Sequence, residues 1–314
     1  MAPTASKRKA EQQADPSNGK DGDSDGDSDV EMIDVSFEFF DPQPQDYHSI
    51  KLLLTQLLSG DAVQLDVGSI ADLIVEQKLV GTTVKTDGGN ESDPYAILSV
   101  LNLNVHKDRA GVKDLVSYLL SKASANKPFH DQLSSLLSNK VESSTASERS
   151  NIGLVLCERL VNMPAQIVPP MYKMLGEELQ WAKDDGEPYH FSHLLFLSRV
   201  FLASMAELED DPNAALMADG QDQLPTKKGG KKKAKKGDHV ASSQKDAEQT
   251  WMYHPEDEVI ARFAEYQQVF AYTHANKQSA TEQEAFGVMT KGQMLLVPWT
   301  KYDEMVQAMS DYLQ

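Results

Sequence analysis

The chain has 314 residues, with 48 acidic against 30 basic side chains, a formal net charge of −18 and a pI near 4.8. That balance argues against direct nucleic-acid binding, because phosphate would meet a surface of its own sign, and it favours basic partners. A single cysteine, Cys157, excludes an intramolecular disulfide, and no apolar run approaches the roughly 18 residues needed to span a bilayer, so a soluble protein of a reducing compartment is expected.

Residues 1–34 are polar and of low complexity, and are expected to form a disordered acidic tail. Behind Lys7-Arg8-Lys9 no apolar stretch follows, so no secretory signal is expected. Asp21, Asp23, Asp25, Asp27 and Asp29 alternate with small residues in a pattern that resembles the start of a calcium loop. The twelfth position, which would need a bidentate carboxylate, is Met32, so no metal is expected there. Ser24 and Ser28 lie among these acids and are candidate phosphorylation sites that would deepen the charge.

Order is expected from Val35. The alternation Val35–Phe39 reads as a half-buried strand. Ile50, Leu53, Leu54, Leu57 and Leu58 form one helical stripe, and a second helix is expected from Ser69, capped with Asp72, to near Gly81. Thr82–Thr86 reads as a strand closed by the turn Asp87–Asn90, and Tyr95–Val105 as a longer one. Val112, Leu115, Val116, Leu119 and Leu120 make another helical stripe, as do Leu133, Leu136 and Leu137. After a polar loop at Lys140–Ser150, Ile152–Leu160 is a central strand whose Cys157 suits a buried thiol better than a nucleophile. Pro169 and Pro170 open a helix that buries Met171, Met174, Leu175 and Leu179. Phe191–Phe201 is the next strand. Residues 208–248 are a disordered insertion, and Val269–His274 and Met294–Val297 are late strands. Thr300 and Asp303 cap a last helix with Tyr302, Met305, Val306 and Met309 inward. The alternation predicts a single α/β domain, residues 35–207 and 249–314, with a mixed central sheet flanked by helices.

The insertion carries Lys227, Lys228, Lys231, Lys232, Lys233, Lys235 and Lys236 within ten positions and no acid, so the remainder carries −25. An extended lysine cluster suits the acidic grooves of nuclear import receptors, and Lys7, Arg8 and Lys9 can act beside it. No interleaved aromatics point to base stacking. No phosphate loop, zinc-protease helix, nucleophile elbow or paired C-x-x-C occurs. His190 and His193 fall on one strand at an odd spacing, which sends them to opposite faces.

The run Glu158-Arg159-Leu160-Val161-Asn162-Met163-Pro164 followed by Ile167-Val168-Pro169-Pro170-Met171-Tyr172 resembles the BCCIP-type protein family, fungal branch. Asn102–His106, Glu187-Pro188-Tyr189 and His254-Pro255-Glu256-Asp257-Glu258 carry the same resemblance, from Val35 to the end. It implies a fold like that of the GCN5-related N-acetyltransferases, used without catalysis, in a nuclear protein that shuttles to the cytoplasm. It also implies three kinds of partner: a basic protein of the large ribosomal subunit, a phosphatidylinositol-phosphate kinase, and nuclear import and export receptors. Acetyltransferases of that fold grip the coenzyme A pyrophosphate with backbone amides in an R/Q-x-x-G-x-G/A loop after a central strand. Here that place holds Met163–Pro170, with three prolines and no glycine, so neither enzyme activity nor a cofactor is expected. The leading expectation is therefore a nuclear escort for basic clients, with an acetyl-CoA-dependent acetyltransferase or acyl-CoA binder, or a cell-cycle and DNA-repair adaptor, as alternatives. Besides the tail acids, Met163, Tyr172, Glu177, Glu178, Asp184, Asp185 and Glu187 are the candidate client contacts.

Overall fold

The computed structural model describes residues 36–86, 89–138, 151–204, 248–274 and 289–314; the acidic tail with Ser24 and Ser28, the loop at 140–150 and the lysine cluster lie outside them. One sheet runs through the molecule, built from β1 (Glu38–Phe40), β2 (Thr82–Lys85), β3 (Ala96–Asn102), β4 (Asn151–Arg159), β5 (Phe191–Ser204), β6 (Glu248–Met252), β7 (Tyr266–Phe270) and β8 (Met289–Pro298). Its order is β1-β2-β3-β4-β5-β8-β7, with β6 pairing β5 off that path. Among the described strands only β4 and β5 run parallel, and the long helix between them makes the crossover such a pair requires. The result is a mixed α/β domain with a mostly antiparallel sheet.

Helices cover both faces, which is why the central strands read as unbroken apolar runs. On β4 and β5, Ile152, Leu154, Leu156, Leu195 and Leu197 join one core with α1 (Tyr47–Leu58), α2 (Val67–Glu76), α4 (Ala110–Ala123) and α5 (Lys127–Ser138); α3 (Leu103–His106) is a single turn between β3 and α4. Val155, Leu194 and Phe196, one residue out of phase, join the opposite core with α6 (Val168–Asp184), α7 (Pro255–Phe263) and α8 (Tyr302–Tyr312). The period of two in a strand sorts neighbouring residues to opposite cores.

Several boundaries differ from the sequence reading. The expected strand Tyr95–Val105 ends at Asn102, whose side chain accepts from the amides of Asn104 and Val105 and so turns the chain into α3. Helix α2 begins two residues before Ser69: Asp66 is the cap and accepts from the Ser69 amide at 3.1 Å. Asp66 competes better than Ser69 because a carboxylate is the stronger acceptor at an N-terminus. The last helix has no Thr300–Asp303 cap; a 3-10 turn, Trp299–Lys301, leads into it. The strand expected at Val269–His274 lies three residues earlier, because Tyr266 is the first residue paired to β8. His190 stands just before β5, while His193 lies on it, 3.4 Å from Glu265.

Two side chains deep in the sheet set local constraints. Lys85 is fully buried and pairs with Asp46 at 2.7 Å and with the Asn90 carbonyl at 2.9 Å. Gly292 on β8 lies directly opposite Phe270 on β7, and the Phe270 ring occupies the space a Cβ would take.

Candidate functional site

β4 and β5 pair from Asn151↔Phe191 to Val155↔Phe196 and no further, although β4 continues to Arg159 and β5 to Ser204. Beyond that point the two strands part. β6 takes up the free side of β5, from Val200↔Met252 to Ser204↔Glu248, and the chain then turns at His254 into α7. The first residues of α7 enter the opening.

What fills it is ionic. Glu158 of β4 is almost fully buried; its Oε2 accepts from Arg199 of β5 at 2.7 Å, and its Oε1 accepts from Gln56 of α1 at 3.0 Å and faces His254 Nε2 at 3.1 Å. Burial pushes the Glu158 carboxyl up, but the His254 bond and the Arg199 charge outweigh it and hold its pKa below the usual value. Arg159, on the other face, grips Glu256 with both terminal nitrogens, the second at 3.1 Å. The Arg199 guanidinium lies 3.7 Å above the Tyr253 ring. Ser198 donates to Asp257, whose pKa rises to about 7, mainly through burial and then through the charge of Glu256 beside it. Glu256 and Asp257 also sit in the first turn of α7, where the helix dipole favours negative charge.

Little space is left. A cavity of about 10 Å³ remains, lined by Cys157, Tyr172, Ser198, His254 and Asp257 among others, room for about one water. Burial, and after it the charge of Glu256, raises the Cys157 thiol pKa, the reverse of what activates a nucleophile. Among the described residues no group of three or more His, Cys, Asp or Glu is placed to hold a metal ion.

Part of the segment after β4 is occupied as well. The Leu160 amide donates to the Tyr95 carbonyl at 2.9 Å, Met163 to Leu160 at 3.0 Å, and Val168 to Ala165. Pro169 and Pro170 stand in the first turn of α6, as their sequence position predicts. Anion binding at a helix start needs amides that point outward and are free. Those of Leu160, Met163 and Val168 are spent inside the protein.

The candidate client contacts separate into two groups. Glu177, Asp184, Asp185 and Glu187 are exposed. Met163, Tyr172 and Glu178 are not, and face the interior instead of a partner. Met163 packs in the core beneath α6, and the Tyr172 carbonyl accepts from the Tyr302 hydroxyl at 2.6 Å. Glu178 accepts from the Gly81 amide at 2.8 Å and from Thr82 Oγ1 at 3.1 Å, which ties α6 to β2. Its place was legible, since it falls within the stripe Met171, Leu175, Leu179 that faces the sheet. The residues that fill the opening were visible as charges inside apolar strands, Glu158-Arg159 and Arg199, a pattern that demands partners. The His254–Glu258 block, read at first only as a matching motif, supplies those partners.

Comparison with known proteins places these features in a lineage. The family model described as BCCIP matches residues 32–260. Protein bcp1 of Aspergillus oryzae is 41% identical over 298 residues, covering 94% of this chain and 92% of that protein. Protein bcp1 of Schizosaccharomyces pombe is 40% identical over 274 residues, covering 86% of each. The crystal structure of BCP1 from Saccharomyces cerevisiae superposes with a TM-score of 0.55 at 22% identity, over 89% of this chain and 90% of that one, and shows the same fold.

Proposed function

The chain belongs to the BCCIP family, and from that premise we propose that it is a non-catalytic escort for basic protein clients. One observation carries the reading: where β4 and β5 part, the opening is filled by the chain's own His254–Asp257, held by the buried Arg159–Glu256 ion pair and the His254–Glu158 contact, so among the described residues that opening has no room for a substrate. The acetyltransferase-like reading of the sheet belongs to this proposal, supported by its one parallel pair and by the helix that follows β4. An acyl-CoA enzyme would need free amides after that strand, and there the Leu160, Met163 and Val168 amides bond inward while Pro164, Pro169 and Pro170 have none.

The net charge of −18 supports the choice of client. An acidic protein meets a lysine- and arginine-rich one faster and shields it from other polyanions, and salt weakens the attraction. By resemblance, the client is a basic large-subunit ribosomal protein, and the protein supports nuclear export of a phosphatidylinositol-phosphate kinase and of ribosomal subunits. The lysine cluster Lys227–Lys236 and Lys7-Arg8-Lys9 would engage import receptors of a nuclear protein that shuttles to the cytoplasm.

Calorimetric titration decides between escort and enzyme. Acetyl-CoA should give no binding heat, whereas a purified basic ribosomal protein should bind with an affinity that falls steeply as salt rises. Micromolar acetyl-CoA binding would restore the enzyme reading.

A further inference from the structure

Among the exposed large hydrophobic residues is an indole, Trp181 on α6, 48% exposed. An exposed indole alone is ordinary on a protein surface, and what it can bind depends on what surrounds it. Its surroundings on the helix are acidic. Glu177 lies four residues before it, Asp184 three after and Asp185 four after, so all three flank the ring on one side of the helix, and all three are exposed. Gln180 donates to Asp184 at 2.9 Å and neutralises nothing.

The position of these acids is unfavourable for the helix itself. Asp184 is its last residue and Asp185 its C-cap, where the dipole disfavours negative charge. Lys183, the basic residue of that last turn, holds its ammonium 4.2 Å over the Trp299 ring, still near enough for the charge of Asp184 to act on it. Asp184 and Asp185 therefore cost the helix stability, and all three carboxylates stay exposed to something outside it.

We propose that this face of α6 is the docking surface for an arginine- and lysine-rich protein segment, with a guanidinium stacked on the Trp181 indole and Glu177, Asp184 and Asp185 pairing its neighbours. The inference rests on the escort reading and gives it a place. The occupant is a basic protein segment because complementary charge surrounds the ring, and arginine because a planar cation satisfies indole and carboxylate together.

The test is titration of the full chain with a synthetic arginine-rich peptide and its arginine-to-glutamine control, read by calorimetry and tryptophan fluorescence. Trp181→Ala should weaken binding about tenfold, as loss of a partly desolvated cation–π contact does, while Trp181→Phe retains most of it. The triple change Glu177→Gln, Asp184→Asn, Asp185→Asn should weaken it as well and flatten the salt dependence. Leu52→Ala, an exposed residue on a helix of the opposite layer, should leave it unchanged. Unaltered affinity in either the Trp181→Ala or the triple variant would overturn this surface and leave the escort reading standing. Failure of the unmodified chain to prefer the arginine peptide would overturn both.

Discussion

Asp257→Asn should stabilise the protein increasingly as pH rises from 4 to 8. Asp257 is 6% exposed, accepts a hydrogen bond from Ser198, and has Glu256, His254, Arg159 and Cys157 around it. Its carboxyl titrates near 7 in the folded protein against an ordinary value of 3.8. A folded pKa raised above the unfolded one means that the native state holds the extra proton between those two values. Stability therefore falls as pH climbs through that window. Each unit is worth about 1.4 kcal/mol, so the ceiling is about 4 kcal/mol, and relaxation around a buried charge should leave roughly half of it. Asparagine keeps the Ser198 contact and cannot ionise. Near pH 4 the variant and the parent should unfold at similar urea concentrations, and by pH 8 the variant should lead by roughly 2 kcal/mol. The acidic tail is common to both and cancels in the difference. A difference that stays flat from pH 4 to 8 would refute the argument that Asp257 is buried beside a like charge.

Two further substitutions test the packing that frames this site. Asp46→Ala leaves the Lys85 ammonium buried with no carboxylate, only the Asn90 carbonyl and the Phe40 ring beside it, and should cost about 3–5 kcal/mol in urea unfolding. Adding Lys85→Met should recover much of that loss, and a double variant no more stable than the single one would deny that the buried charge is the cause. Gly292→Ala forces a Cβ into the Phe270 ring and should cost about 1–3 kcal/mol, with hydrogen exchange accelerated first in β7. Protection in β7 equal to that of the parent would show that the ring yields without cost.

Much of the architecture was legible because its signals are local. The apolar runs at Ile152–Leu160 and Phe191–Phe201 are strands buried on both faces, and the Pro169-Pro170 pair marked the start of α6 to within a residue or two. Caps were read less well. Ser69 and Asp66 are both capping residue types within four positions, and only the fold decides which carboxylate or hydroxyl meets a free amide. The client-contact candidates differ, because the stripe Met171, Leu175, Leu179 already places Glu178 inward. Glu177 and Glu178 are neighbours with the same side chain, yet about 100° of helical rotation sends one to water and the other onto the Gly81 amide.

By itself the sequence determined the acidic charge, the layering of helices over a mixed sheet, and the presence of charges inside strands that must find partners. The tertiary structure alone decided who those partners are. Arg159 meets Glu256 across 97 positions, and Glu158 meets His254 across 96 and Arg199 across 41, because two strands separate and a later helix enters between them. Periodicity is written in neighbouring residues, whereas the desolvation of a buried charge is relieved only by whatever the completed fold brings within hydrogen-bonding distance.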